Sequence, residues 1–184
     1  GDDSYIINSS TTLLSECGNQ GLDTVYSNVS YTLPVNVENL RMYGGGVSMA
    51  TGNKSNNLIV GNVGNDVING LEGKDTLTGG EGKDTFVFST ALNVKSNFDI
   101  ITDFDVNEDK IAFKGSIFKK IGTGVEFSEI WFKNTVSLQT STNFLEYDAS
   151  SGILYYDSDA NGKSFATPVA MIGINLSLSE LNFN

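Results

Sequence analysis

The chain of 184 residues contains no histidine, one cysteine, one arginine and two prolines. Without histidine, neither a Ser-His-Asp nor a Cys-His arrangement can be assembled, which removes hydrolysis by a histidine-activated hydroxyl or thiol. Cys17 has no second cysteine with which to close an internal bridge and is expected to be a small buried or semi-exposed thiol. Positive charge is scarce: 11 Lys and Arg face 22 Asp and Glu, a formal net charge of −11, and the single arginine is Arg41. With no basic cluster, nucleic acid and anionic membrane surfaces are excluded as partners, and a cation becomes the natural counterpart. No apolar run reaches the ~18 residues of a membrane span. No leader peptide is evident, and Gly1-Asp2-Asp3 reads as the middle of a repeat, so we expect the remainder of a larger polypeptide upstream. Glu126, Glu129, Glu146 and Asp148 are the acids from which an acid–base pair could be drawn, but nothing in their placement selects among them. The chain is therefore expected to be non-enzymatic, whatever its parent does.

Glycine, by contrast, is abundant, with 20 residues, and it is ordered. Cut every nine residues, the stretch from Gly61 gives GNVGNDVIN, GLEGKDTLT and GGEGKDTFV. Glycine recurs at the first and fourth positions (Gly61, Gly70, Gly79; Gly64, Gly73, Gly82) and aspartate at the sixth (Asp66, Asp75, Asp84). A large apolar residue, Ile68, Leu77 or Phe86, holds the eighth. The glycines permit a tight six-residue turn. The three residues that follow are extended, and since alternate side chains of a strand face opposite ways, only the middle one points inward. Two such units make one coil of a parallel solenoid, and turns two units apart lie side by side. Successive aspartates are thereby stacked, where they repel unless a divalent cation lies between them. Oxygen donors in flexible geometry suit calcium better than magnesium, and zinc would want nitrogen or sulfur.

These three units resemble the calcium-binding nonapeptide G-G-x-G-x-D-x-U-x of repeat-in-toxin (RTX) proteins. The second glycine is replaced by Asn62 and Leu71 in the first two units, and only GGEGKDTFV, with Gly80, is complete. The preceding unit, GNKSNNLIV, keeps the period with Asn57 at the aspartate position. The resemblance implies two or three calcium ions. Its metal-binding set is Asp66, Asp75 and Asp84, the weaker Asn57, and the turn residues Gly61, Asn62, Val63, Gly64, Gly70, Glu72, Gly73, Gly79, Gly80, Glu81 and Gly82. Pairing two units apart sets Asp66 against Asp84 as a full site and Asn57 against Asp75 as a weaker one.

On either side the beat weakens. Residues 1–51 read as degenerate solenoid, with GDDSYII echoed by GLDTVYS, and Asp3 and Asp23 are read as turn residues rather than ligands. Tyr31, Leu33, Val35 and Val37 alternate as in a strand, and Pro34 sets that strand at an edge or bulge. Residues 52–89 form the calcium-binding nonapeptide roll. Residues 90–184 carry short strand-like runs (FDIITDF, DKIAF, EFSEIWF, NFLEYD, GILYYD, ATPVAMI) and are expected to form a β cap over the last coil. Hairpin turns are expected at 149–152 and 159–162, and single helical turns at 116–120 and 178–181. This region resembles the C-terminal part of serralysin-type metalloproteases, where D-x-I-x-D-F, D-K-I and L-Y-Y-D follow in that order. The resemblance makes Asp99, and more weakly Asp103, acids that close the last calcium site. The terminal LNFN resembles the D-F-x-x tail read by type I secretion systems, with Asn182 where an acid is usual. DSDANG at 157–162 matches half of an EF-hand loop, but its twelfth position is Pro168, so a hairpin turn is expected there.

The expected fold is all-β: a right-handed parallel β-roll, a calcium-binding solenoid, capped by a C-terminal β-sandwich-like region. The expected function is a calcium-dependent folding and secretion module near the C-terminus of a larger secreted bacterial RTX protein, extracellular or at the cell surface. Its expected partners are calcium, the type I secretion apparatus and a surface glycan. The alternative is an adhesin, surface-layer or carbohydrate-binding module, with Trp131, Tyr155 and Tyr156 as aromatics for sugar contact.

Overall fold

A computed structural model describes residues 1–18, 21–118, 145–158, 166–178 and 183. Every regular element among them is a strand. From the amino end these are β1 (Ser4–Ile7), β2 (Thr24–Ser27), β3 (Tyr31–Thr32), β4 (Asn39–Met42), β5 (Met49–Thr51), β6 (Leu58–Val60) and β7 (Val67–Asn69). They continue as β8 (Thr76–Thr78), β9 (Thr85–Phe88), β10 (Asp99–Ile101), β11 (Lys110–Phe113), β12 (Leu145–Asp148), β13 (Ile153–Tyr156) and β14 (Thr167–Met171). None of these strands is longer than five residues, because glycine-rich turns interrupt the chain at each bend.

From β2 onward the chain alternates between two parallel sheets. One runs β1-β2-β4-β6-β8-β10 and the other β3-β5-β7-β9-β11. In the repeat segment the register advances 18 residues per coil, pairing Ile59 with Leu77, Ala50 with Ile68 and Ile68 with Phe86. The middle residue of each short strand points between the sheets, giving two facing ladders, Val25-Leu40-Ile59-Leu77-Ile101 and Tyr31-Ala50-Ile68-Phe86-Ile111. Their members are buried almost without exposure. This dry seam is the hydrophobic core of the roll, which a period of one inward residue per nine fills by stacking coil on coil.

Three features differ from the sequence reading. Residues 29–42 are not one alternating strand: Asn36 takes a positive φ of 65°, and the chain turns there from β3 in one sheet to β4 in the other. Tyr31, Leu33 and Val37 are buried while Val35 faces solvent. Pro34 follows β3, the outermost strand of its sheet among the described residues. Second, the roll has no break at residue 89, since β10 and β11 stack on β8 and β9 as a further coil. The registers there lengthen to Leu77↔Ile101 and Phe86↔Ile111, so the longer phrase that hid the period is absorbed by the turns.

Third, the described part of the cap is not a second sandwich layer. β14 pairs parallel with β10, and β13 and β12 follow antiparallel, so the three extend the first sheet edgewise. The expected hairpin at 149–152 joins β12 to β13. The end of the other sheet is stoppered by aromatic rings: Phe113 lies 4.8 Å from Phe118 and 6.4 Å from Phe183, and Phe118 lies 5.1 Å from Tyr156. A turn occupies 115–117. The runs at 126–132 and 159–162, the rest of both expected helical turns, Trp131, Glu126, Glu129 and Asn182 lie outside the described residues.

Ile68 has no exposed surface and sits between Ala50 and Phe86. Ile68→Ala is expected to cost about 2–5 kcal/mol, and the outward-facing Thr78→Ala, which loses a hydroxyl bond to Thr102, about 1 kcal/mol, in chemical unfolding followed with calcium present.

Candidate metal centre

Each inward core residue of the two ladders except Tyr31 is preceded, two positions earlier, by a polar side chain at the mouth of the turn. On one edge of the roll these are Ser48, Asp66, Asp84 and Asp109. On the other they are Asp23, Glu38, Asn57, Asp75 and Asp99. Apart from Glu38 and Asn57, neighbouring members are tied by one repeated bond in which a backbone amide donates to the carboxylate one coil later. Ser48 N donates to Asp66 Oδ1 (3.0 Å), Asp66 N to Asp84 Oδ1 (2.8 Å), and Asp84 N to Asp109 Oδ1 (2.9 Å). On the opposite edge Asn57 N donates to Asp75 Oδ1 (2.7 Å) and Asp75 N to Asp99 Oδ1 (3.1 Å). The first coils repeat it, with Asp3 N donating to Asp23 Oδ1 (2.8 Å) and Asp23 N to Glu38 Oε2 (3.0 Å).

The second oxygen of each carboxylate faces its own turn. Asp66 Oδ2 accepts from Asn62 N at 2.6 Å. Asp75 Oδ2 and Asp84 Oδ2 are buried and have no hydrogen-bond partner. Asp66, Asp75, Asp84 and Asp99 have no Lys or Arg within ion-pair distance among the described residues. Burial raises these acids: Asp75 is pushed up to about 8, Asp99 to about 7 and Asp84 to about 6, with neighbouring acids adding to the rise at Asp75 and Asp84. Asp109 is raised as well, again chiefly by burial.

Backbone carbonyls converge on the same mouths. A Cβ at Gly82 would stand 2.7 Å from Gly64 O, and one at Gly80 would run into Asn62 O. Both glycines also hold φ near +100°, at 101° for Gly80 and 114° for Gly82, which L-residues rarely adopt. Leu71 occupies the left-handed region without being glycine, at φ 71°. The turn mouths are thus lined by carbonyl and carboxylate oxygens, with two carboxylate oxygens unsatisfied. Buried acids without base or donor are costly, and a hard cation that takes six to eight oxygens removes that cost. The residues present fit calcium.

Where asparagine replaces glycine or aspartate, its amide fills the mouth. Asn53 Nδ2 donates to Pro34 O and Val37 O, both at 2.7 Å, and Asn57 Nδ2 donates to Val37 O (3.3 Å) and Glu38 O (3.2 Å). Asn62 Nδ2 donates to Gly46 O (3.1 Å), Ser48 Oγ (3.1 Å) and Asp66 Oδ1 (3.2 Å). The turn glycines Gly61, Gly70, Gly73 and Gly79 lie buried at these mouths. The side chains of Val63, Glu72 and Glu81 point to solvent, so only their backbones face them. Asp103 accepts from Gly79 N and Gly80 N, each at 2.9 Å, and so caps the turn that carries Asp84.

Two features escaped the sequence reading. Asp109 belongs to the ladder, and its signal was present, since D-K-I repeats the spacing of acid to core residue seen in D-T-F and D-T-L. Glu16 comes within 4.8 Å of Asp3 and Asp23 and accepts a hydrogen bond from the Tyr5 hydroxyl. No period marks it.

The shifts set a pH dependence for the metal-free chain. The folded-state values for Asp84, Asp99 and Asp75 lie above the ordinary carboxylate range, so folded chains hold protons that unfolded chains have released. The stabilisation is complete below that range and is lost as pH rises through about 6 to 8. In chelator, the folded fraction seen by far-UV circular dichroism should rise as pH is lowered from 8 to 5. Calcium should make the signal insensitive over that window.

Comparison with known proteins agrees with this geometry. Residues 51–86 match the family described as RTX calcium-binding nonapeptide repeat (4 copies). A 59-residue stretch is 44% identical to the endo-1,3-1,4-beta-glycanase ExsH of Rhizobium meliloti (strain 1021). That stretch covers 32% of this chain and 12% of the relative, so the chain spans a small part of that protein's length. The matched family is one of calcium-binding repeats, of a kind typical of secreted proteins. Through residues 51–86, the chain carries an RTX calcium-binding nonapeptide repeat, folded as a parallel β-roll.

Proposed function

We propose that this chain is a calcium-ordered folding and export module of a larger secreted bacterial protein. The observation that carries the reading is the pair of buried, unpartnered carboxylate oxygens on Asp75 and Asp84, set among turn carbonyls with no described base within ion-pair distance. Asp66 with Asp84 on one edge, and Asp75 with Asp99 on the other, are the acids we assign to calcium, with carbonyls of the 61–64, 70–73 and 79–82 turns completing the sets. Two or three ions fit this arrangement. Asn57 has already given its amide to Val37 and Glu38, so its mouth needs cation least.

Where calcium is scarce, as inside a cell, these acids repel and oppose burial, and the repeats stay open, suited to a narrow type I export channel. Outside, extracellular calcium modules bind with dissociation constants of about 10⁻⁴ to 10⁻³ M. With free calcium about fifty times the dissociation constant, each ion stabilises the folded chain by about 2.3 kcal/mol. Two ions then supply roughly 5 kcal/mol, the lower end of a whole domain's stability. The LNFN tail is the segment we assign to the secretion apparatus.

The second reading, a carbohydrate-contacting module, draws support from the relative named as a glycanase. Of the aromatics expected to serve it, Tyr156 is buried and Tyr155 half-buried. A different face is better suited, as argued below.

Calcium titration should raise β content cooperatively, while magnesium at equal concentration does little. A chain equally folded in excess chelator would refute the proposal. Asp84→Asn should move the calcium midpoint upward about tenfold, the loss of one charge-assisted ligand, without reducing the folded fraction in chelator. An unmoved midpoint removes Asp84 from the metal set.

A further inference from the structure

Across β1, β2, β4, β6, β8 and β10 the ladder acids sit at the turn mouths, and the outward rows of these strands carry no acid. These rows follow the register: Ile6, Tyr26, Arg41, Val60 and Thr78 stand side by side on successive strands. Neither this row nor the neighbouring one, from Ser4 to Ile100, contains Asp or Glu. In a chain of net charge −11, its one arginine therefore stands on an acid-free stretch of the first sheet, among β1 to β10. Arg41 is exposed and forms no ion pair or hydrogen bond among the described residues.

Two tyrosines flank it. Tyr26 is its direct partner on β2, 38% exposed. Tyr43 follows two residues later on the same side, 40% exposed, with its hydroxyl fixed by donation to Asn8 Oδ1 at 2.6 Å. In the next row Asn39 Nδ2 donates to Thr24 Oγ1 at 3.2 Å, a polar pair beside the same strands.

We infer that the face centred on Tyr26, Arg41 and Tyr43 binds a carboxylate-bearing polysaccharide. The guanidinium supplies the planar, two-pronged donor that suits a carboxylate. The tyrosines offer rigid rings for the apolar faces of sugars and hydroxyls at their rims. Strands recur every ~4.8 Å, close to the length of one hexose, so a glycan running across the strands presents one sugar per rung. An acidic peptide is a poorer occupant, since extended peptides add to sheet edges and this face lies in mid-sheet. Calcium in the turns lowers the net negative charge and so favours approach of a polyanion. The inference is separate from the folding role, because none of the three residues belongs to a turn mouth.

The test is affinity electrophoresis of the whole chain in calcium, through gels containing hyaluronan, neutral mixed-linkage β-glucan or poly-glutamate. Hyaluronan should retard the chain, and the other two should not. Arg41→Gln should weaken that binding about tenfold and Tyr26→Ala by several-fold, both with unchanged calcium-driven circular dichroism. If Arg41→Gln fails to fold, Tyr26→Ala and Tyr43→Ala give the same readout. A wild-type chain that hyaluronan does not retard, variants that are retarded equally, or equal retardation by poly-glutamate would overturn the inference. All three outcomes leave the calcium titration, and with it the folding proposal, standing.

Discussion

The structure depends on one repeated bond: the amide at the mouth of one turn donates to the carboxylate of the turn stacked on it. That bond crosses from coil to coil alongside the strand ladders. It also spends only one of the carboxylate's two oxygens. The other is carried into the protein with its charge, and at Asp75 and Asp84 it meets no donor. The same side chain thus aligns the coils and opposes their burial. In a low-dielectric site an uncompensated carboxylate is among the costliest groups a fold can enclose. The hydrophobic ladders between the sheets are narrow, one residue wide per strand, and must hold the coils together against that cost.

Read from the sequence, the repeat from Gly61 to Val87 was legible because each position of the period has a separate physical duty. Glycine stands where a Cβ would collide with the neighbouring turn, aspartate where an amide must be received, and a large apolar residue where the strand points inward. The outer coils were harder to read. Ser48 and Glu38 take the ladder position without being aspartate. Asp99 and Asp109 follow insertions that stretch the register from 18 residues to 24 and 25. Counting residues fails there, while the shorter spacing of acid to core residue survives, because it is set inside a single strand and not by turn length. The edgewise placement of β12 to β14 had no local signal at all. A strand run shows that a segment is extended, not which edge receives it.

Asparagine has an informative place in this scheme. At Asn53, Asn57 and Asn62 a carboxamide sits where the repeat elsewhere uses glycine or aspartate, and its N–H groups reach the carbonyls of the preceding coil. A neutral donor thereby does locally what a cation does at the acidic mouths. The substitutions that make the early units look like degraded copies are, in the folded chain, satisfied hydrogen-bond networks.

This arrangement gives the roll a polarity. On the amino-terminal side of the Asp75–Asp99 and Asp84–Asp109 coils, the turns of Asn53, Asn57 and Asn62 are closed by their own amides. On the other side, a plug of Phe113, Phe118, Tyr156 and Phe183 seals the seam by packing alone. Between them lie the coils whose closure depends on ionic conditions. Such a molecule behaves like a zipper with both stops already sewn in: its middle can open and reclose while its two flanks preserve alignment, so each closure begins in register.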